Sequence, residues 1–264
     1  MRGPEKLFEN ENHWETHMGG WFAGERVVYR GQDLHVDLCD MSWMELHLYG
    51  ITGRRFTPEQ LKVLNAIWVY CSFPDPRIWP NRVAALAGTA RSTGTLGIGS
   101  ATAVSEATIY GGKALKMAID FMIRTKKMMG DGFILSDLLN NKIFFYGYGR
   151  PILQIDERIP HLMKLLKNFN MDHGEYVLLA FEIEKTLLER KNKLRLNYGG
   201  LIAAVAADMG FTPKEFHLYC IFLFTTGMTP CFIEAIEKKE GTLFPLRCNC
   251  IFYEAGVVRR SWNG

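Results

Sequence analysis

The sequence is most informative at first in what it lacks. Its 264 residues contain no apolar run of about 18 residues, so it reads as having no membrane span. Met1 to Glu15 is polar and acidic rather than a basic stub followed by an apolar stretch, which excludes a secretory reading of the N-terminus. The six cysteines, Cys39, Cys71, Cys220, Cys231, Cys248 and Cys250, form no CxxC pair. Cys248-Asn249-Cys250 would place two thiols on one face of a strand, without a nearby histidine. The cysteines therefore read as structural thiols in a reducing, cytoplasmic protein. Charge of one sign is scarce: 31 Lys and Arg face 28 Asp and Glu, for a net +3, and the basic residues are dispersed. Nucleic acid is an unexpected partner, because phosphate binding needs a concentrated basic stripe. His13 and His17 could share one helical face, but they lack a carboxylate or cysteine set, so no metal is expected. Gly94, Gly97 and Gly99 have no strand before them and no Lys-Ser/Thr after them, which excludes a P-loop.

Repeats, low-complexity segments and strand–helix alternation are missing too. What remains is helical. Hydrophobic residues make up 48% and charged residues 22%, ordinary proportions for a globular chain long enough for one large domain or two modest ones. Residues 1–24 read as an arm, and Val27-Val28-Tyr29 marks a small β element. Thr57-Pro58-Glu59-Gln60 and Thr212-Pro213-Lys214-Glu215 each supply an N-cap, a proline at the first helical position and a capping-box partner. Pro80 opens another helix. Residues 83–108 are dominated by small side chains and predict a tightly packed helix pair. Further helices are expected over 113–128, 157–169, 174–192, 200–209 and 228–239, with a short strand or tail over 248–260. The fold class is all-α.

Three stretches carry the functional argument. They are Ile109-Tyr110-Gly111-Gly112, then Gly147-Tyr148-Gly149-Arg150-Pro151 with Asp156-Glu157-Arg158 after it, and Lys193-Leu194-Arg195-Leu196-Asn197-Tyr198-Gly199-Gly200. In order and spacing they resemble the catalytic segments of the citrate synthase superfamily: His-Gly-Gly, Gly-Tyr-Gly-His-Pro with Asp-Pro-Arg, and Lys-Leu-Tyr-Pro-Asn-Val-Asp. Tyr29-Arg30-Gly31 resembles the family's YRG segment. The short length, the Arg150-Pro151 context and Leu196-Asn197-Tyr198-Gly199-Gly200-Leu201-Ile202 look most similar to the citryl-CoA lyase branch, including the lyase module of ATP-citrate lyase. Where the wider family has His, His and Asp, this chain has Tyr110, Arg150 and Gly199.

The resemblance implies a large helical domain, residues 1–112 with 217–264, and a small one, residues 113–216. It implies that the two domains close over a CoA thioester and a carboxylate substrate, in a homodimer or higher homo-oligomer. The reaction would be carbon–carbon cleavage or formation, as in a citryl-CoA lyase or a Claisen-type acyltransferase. Proton removal from an acyl-CoA needs a base near the carbon and a donor for the enolate oxygen. Gly199 has no side chain to serve as base. Tyr110 and Arg150 are the candidate polarising donors; Arg150 is a permanent cation and no base. Arg158 and Arg247 match carboxylate-holding positions, where a planar fork suits two oxygens. Asn197 joins them as a substrate-binding residue. Lys193 matches a CoA-phosphate lysine, with Lys142 and the amides at Gly147 and Gly149 as possible contributors. Asp75, in Pro74-Asp75-Pro76-Arg77 beside Asn81-Arg82, is the first choice for a substitute base, with Asp156, His161 and His173 behind it. The alternative is a catalytically inactive binding subunit that keeps the CoA and carboxylate pocket.

Overall fold

The computed structural model describes residues 3–108, 111–140, 144–150, 155–190, 193–242 and 246–250. Tyr110 and Lys142, two of the candidate residues, lie outside the described residues. The chain divides into two compact units, one of Met1–Ser72 with Ser105–Leu223 and one of Phe73–Val104 with Phe224–Gly264.

The first unit opens with α1 (Pro4–Glu9), which buries nothing, and a three-stranded antiparallel meander. Its strands are β1 (Gly19–Phe22), β2 (Arg26–Tyr29) and β3 (Gln32–Asp33), in register at Gly19↔Tyr29 and Tyr29↔Gln32. The lead-in expected to be irregular thus carries a helix and an edge strand. His13 and His17 lie outside α1, and His13 Nε2 meets Glu15 at 3.0 Å instead.

Helices follow: α2 (Trp43–Thr52) and α3 (Pro58–Cys71), then in the second unit α4 (Trp79–Thr89) and most of α5 (Gly94–Ser105). The first unit resumes with α6 (Gly112–Gly130), α7 (Leu135–Asn140), α8 (Arg158–Asn168), α9 (Glu175–Glu189), α10 (Tyr198–Asp208) and α11 (Pro213–Cys220). The last helix, α12 (Thr225–Glu237), belongs to the second unit.

Both predicted capping boxes form. Thr57 accepts from the Gln60 amide while the Gln60 side chain accepts from Thr57, and Thr212 and Glu215 do the same. The centre of the first unit is α10. Tyr198 and every residue from Gly200 to Ala207 are buried. Its run of small residues explains this, since a helix without long side chains can be enclosed on all sides by close neighbours. Around it pack Ile119 and Met122 of α6, Leu162 and Leu166 of α8, and Val177 and Ile183 of α9, while Phe216 and Tyr219 of α11 pack on α6 and α2, all buried. Asp208, at the end of α10, accepts the Tyr176 and Val177 amides at 2.9 and 3.0 Å, so it caps α9 from outside.

In the second unit the closest backbone approach is between α4 and α12. A Cβ on Gly88 would lie 2.5 Å from the Phe232 carbonyl oxygen and 2.9 Å from Ala235. The small-residue stretch therefore packs against α12, far along the chain, as well as against its own neighbour, where a Cβ on Gly97 would meet Ala87 Cβ at 2.8 Å. Ala84, Ala101 and Met228 form the buried cluster there, with Phe232 packed on it. The strand expected over 248–260 is, in its described part, a 3₁₀ turn at Cys248–Cys250.

One further expectation needs correction. The stretch Pro213–Glu237 is long and apolar enough by composition to cross a membrane, and 44% of its most apolar window is buried inside the chain.

Candidate functional site

Two of the three matched segments are locked together by backbone geometry. Gly147 and Gly149 have φ of 90° and 83°, in the left-handed region where glycine is the residue without steric cost. They turn the chain so that Tyr148 pairs with Leu196 in an antiparallel bridge. The Gly149 amide donates to the Arg195 carbonyl at 2.7 Å, and the Asn197 amide donates to the Gly147 carbonyl at 2.9 Å. A Cβ on Gly147 would stand 2.6 Å from Gly200 Cα, so the turn and the start of α10 meet backbone to backbone. Tyr148 is buried, and its hydroxyl donates to the Ala180 carbonyl at 2.9 Å.

Asn197 is the pin. Its Nδ2 donates to the Gly149 carbonyl at 2.8 Å, and its Oδ1 accepts the Gly200 amide at 3.0 Å as the N-cap of α10. Two amides of the glycine turn are not open as expected. Those of Tyr148 and Gly149 are spent on Phe145 and Arg195.

Asp156 is the hub. Its carboxylate has no solvent exposure. Arg158 grips it bidentately, Nε to Oδ1 at 2.9 Å and Nη2 to Oδ2 at 2.8 Å, and the Tyr198 amide donates to Oδ2 at 2.9 Å. Arg150 Nε stands 3.7 Å from the same oxygen. Burial alone pushes the Asp156 carboxyl up, but the Arg158 fork, the Tyr198 amide and Arg150 outweigh it and hold the group below the usual carboxylate range. The Arg158 guanidinium lies over the Tyr198 ring, 4.5 Å from its centroid, and reaches Cys71 Sγ at 3.8 Å. Burial pushes the Cys71 thiol up to about 12, so it is a protonated structural group. Burial also raises the Tyr198 phenol, whose hydroxyl has no hydrogen-bond partner among the described residues.

Arg150 stands at the accessible rim of this cluster. It donates to Glu157 Oε2 at 2.6 Å and to the Ile155 carbonyl at 2.9 Å. Its hydrogen bond to Glu157 lowers that carboxyl. Arg150, expected as a polarising donor, and Arg158, expected to hold a substrate carboxylate, therefore both hold carboxylates of the chain itself.

The remaining candidates are dispersed. Lys193 is exposed just before the Arg195–Asn197 crossing. Arg247 is exposed and Asp75 is bound by its neighbour; both belong to the second unit. Arg77 donates to Asp75 through Nε and Nη2 at 2.9 and 2.6 Å, and this pairing lowers the Asp75 carboxyl. Asn81 braces the same loop through the Phe73 and Asp75 carbonyls. His161 and His173 are exposed. Among the described residues no group of His, Cys, Asp or Glu could hold a metal ion. A cavity of about 470 Å³ opens in the first unit between Arg30, His47, Lys214 and Phe222, and it contains none of the candidate residues.

Sequence reading missed the roles of Glu157 and Tyr198. Glu157 stands where the related pattern has proline, and that departure was the available signal. Tyr198 offered none, because an aromatic at the start of an apolar helix reads as core.

No family model matches the chain, and neither does any curated protein sequence. Solved structures do match. Citryl-CoA lyase from Hydrogenobacter thermophilus superposes with a TM-score of 0.79 at 20% identity, over 94% of this chain and 96% of that one. ATP citrate lyase from Methanothrix soehngenii, solved with citrate and coenzyme A, gives 0.75 at 15% identity over 98% of this chain but 45% of its own. Citrate synthase from Thermoplasma acidophilum, solved with carboxymethyl coenzyme A and oxaloacetate, gives 0.63 at 18% identity, over 81% of this chain and 57% of its own. The chain thus spans about half the length of the latter two. Its fold is all-α and citrate synthase-like.

Proposed function

We propose, from the premise of that fold, that the chain is a noncanonical member of the citrate synthase superfamily acting on a CoA thioester and a carboxylate. Cleavage of a citryl-CoA-type substrate is the favoured direction and Claisen-type condensation the reverse. One observation carries the reading. The glycine turn, Asp156–Arg158 and the Lys193–Tyr198 segment, tied together by hydrogen bonds across 42 and 48 residues of sequence, converge on one buried carboxylate.

In this reading Arg150 at the rim takes a substrate carboxylate by exchanging Glu157 for it, and Arg158 is the second cation behind it. Lys193 contacts a CoA phosphate, with Lys142 near it. Tyr110 donates to the thioester oxygen as enolate charge develops. Asn197 fixes the spacing between the turn and α10, and Arg247 supplies a further carboxylate contact. The division into a large domain, 1–112 with 217–264, and a small one, 113–216, belongs to the same proposal, as do a homodimer and a cytoplasmic location. Five described cysteines are free thiols, in keeping with a reducing compartment.

A second reading, an inactive binding subunit, is favoured by one specific observation. Arg150 and Arg158 are both neutralised internally, and Gly199 carries no base. Incubation with citryl-CoA separates the two. Enzyme-dependent release of acetyl-CoA and oxaloacetate, abolished in Arg150→Ala, supports the enzyme. Saturable CoA binding without product under the same conditions supports the binding subunit.

A further inference from the structure

Gly199 leaves the proposed reaction without its usual carboxylate, yet a carboxylate does stand at the first turn of α6. Glu106 follows α5, and its Oε2 lies 2.8 Å from His217 Nε2 on α11. The two residues are 111 apart in sequence. The pair sits against the Gly111-Gly112 turn. A Cβ on Gly112 would stand 3.6 Å from the His217 ring, at Cδ2 and Nε2. A Cβ on Gly111 would stand 2.8 Å from Ala107 N, so the backbone flanking Glu106 is pressed onto the same turn. Three residues further along α6, Leu115 Cδ2 would meet a Cβ on Gly199 at 3.0 Å. Helical positions three apart share a face, with Cβ atoms about 5–6 Å apart. The first turn of α6 is therefore bordered by the Glu106–His217 pair at Gly112 and by the vacant base position at Leu115, three residues apart on one face. Tyr110, the proposed enolate donor, precedes Gly111 in sequence and lies outside the described residues.

The chemistry of the pair is asymmetric. The His217 Nε2 edge is engaged by Glu106 and packed against Gly112. The Glu106 side chain is 41% exposed, and its second oxygen has no partner among the described residues. The N-terminus of α6 has no side-chain cap, and its positive end favours a carboxylate and a developing enolate nearby.

We infer that Glu106 is the proton acceptor that takes the place of the carboxylate missing at Gly199, with His217 as its positioning residue. The inference rests on the CoA-thioester reading above. In the condensation direction a C–H bond of the thioester α-carbon breaks and its proton passes to Glu106 Oε1. The electron pair moves into the carbon–carbon bond of the enolate, with charge on the thioester oxygen. In the cleavage direction the substrate hydroxyl loses its proton to water as the ketone forms and the carbon–carbon bond breaks, and the enolate so released takes a proton from the Glu106 carboxylic acid.

The test is exchange of the acetyl-CoA methyl protons for deuterium in D₂O, followed by NMR, with acetyl-CoA affinity measured in parallel by calorimetry. A positioned base contributes about 10²–10⁴-fold to such a step. The inference predicts that Glu106→Gln lowers exchange by at least about 100-fold with affinity unchanged within about twofold. It predicts that His217→Leu lowers exchange while His217→Gln, which keeps a donor for Glu106, restores much of it. It also predicts recovery of exchange in Glu106→Gln on adding Gly199→Asp, whose Cβ would meet Leu115 Cδ2 at 3.0 Å and Asn197 Oδ1 at 3.2 Å, so that both side chains give slightly. Exchange in Glu106→Gln at the wild-type rate overturns the base and leaves the CoA reading standing. Binding without exchange in the wild type overturns the base as well. Absence of acetyl-CoA binding defeats the CoA reading, and the base with it.

Discussion

At the scale of single residues, Asp156 decides most. A carboxylate with no solvent exposure is costly unless it is paired and fully hydrogen-bonded, and Arg158 with the Tyr198 amide meets that demand. Removing one partner strands the other. Arg158→Ala is expected to lose about 3–5 kcal/mol at neutral pH in chemical denaturation. The pH dependence has a definite sign. The folded-state value of Asp156 is depressed, so its contribution is complete above the unfolded value of about 3.9 and disappears as pH falls through the folded value. The gap between wild type and Arg158→Ala should therefore be widest near neutrality and close below about pH 4. A gap independent of pH would remove Asp156 from the explanation. Resemblance assigned Arg158 a substrate role from its position, but an alignment of motifs does not say which carboxylate an arginine holds. Glu157, which holds Arg150 at 2.6 Å, is the residue that the pattern itself marked as different.

At the scale of elements, the glycines separate into two kinds. Gly147 is required twice over, by φ of 90° and by contact with Gly200. Gly147→Ala is expected to cost about 1–3 kcal/mol in overpacking and to loosen the bridge between Tyr148 and Leu196. Gly99, in the middle of α5, would direct a Cβ into open space. Gly99→Ala should instead stabilise the chain by about 0.5–1 kcal/mol. Thermal melts of the two variants check both signs, and a destabilised Gly99→Ala would mean that this face of α5 is covered in the native protein. The helices themselves were largely legible. Thr57 and Thr212 announced their capping boxes, and helices were expected over 113–128, 157–169 and 174–192, where α6, α8 and α9 stand. What could not be read were β1, four exposed residues without alternation, and the pairing of α4 with α12. Small residues state that a neighbour is near without stating which one.

At the scale of the whole molecule, the sequence order of three short segments was enough to anticipate the architecture, and solved structures at 15–20% identity share it over most of the chain. The site was less legible. Asn197, Gly147 and Gly149 were singled out as binding groups, and the structure uses them to join the turn to α10. Such residues serve the fold and the ligand through the same geometry, so a motif match does not separate the two roles. The Glu106–His217 pair was invisible for the opposite reason. Neither residue belongs to a motif, and only the packing of α11 on α6 brings them together. The central claim is that this fold still receives a CoA thioester, and calorimetric titration of the intact chain with acetyl-CoA tests it most directly, with and without a dicarboxylate. The account predicts saturable micromolar binding, weakened about tenfold or more in Lys193→Ala, the equivalent of ~1.4 kcal/mol for one charge-assisted phosphate contact. Binding absent up to millimolar concentration in both conditions would contradict it.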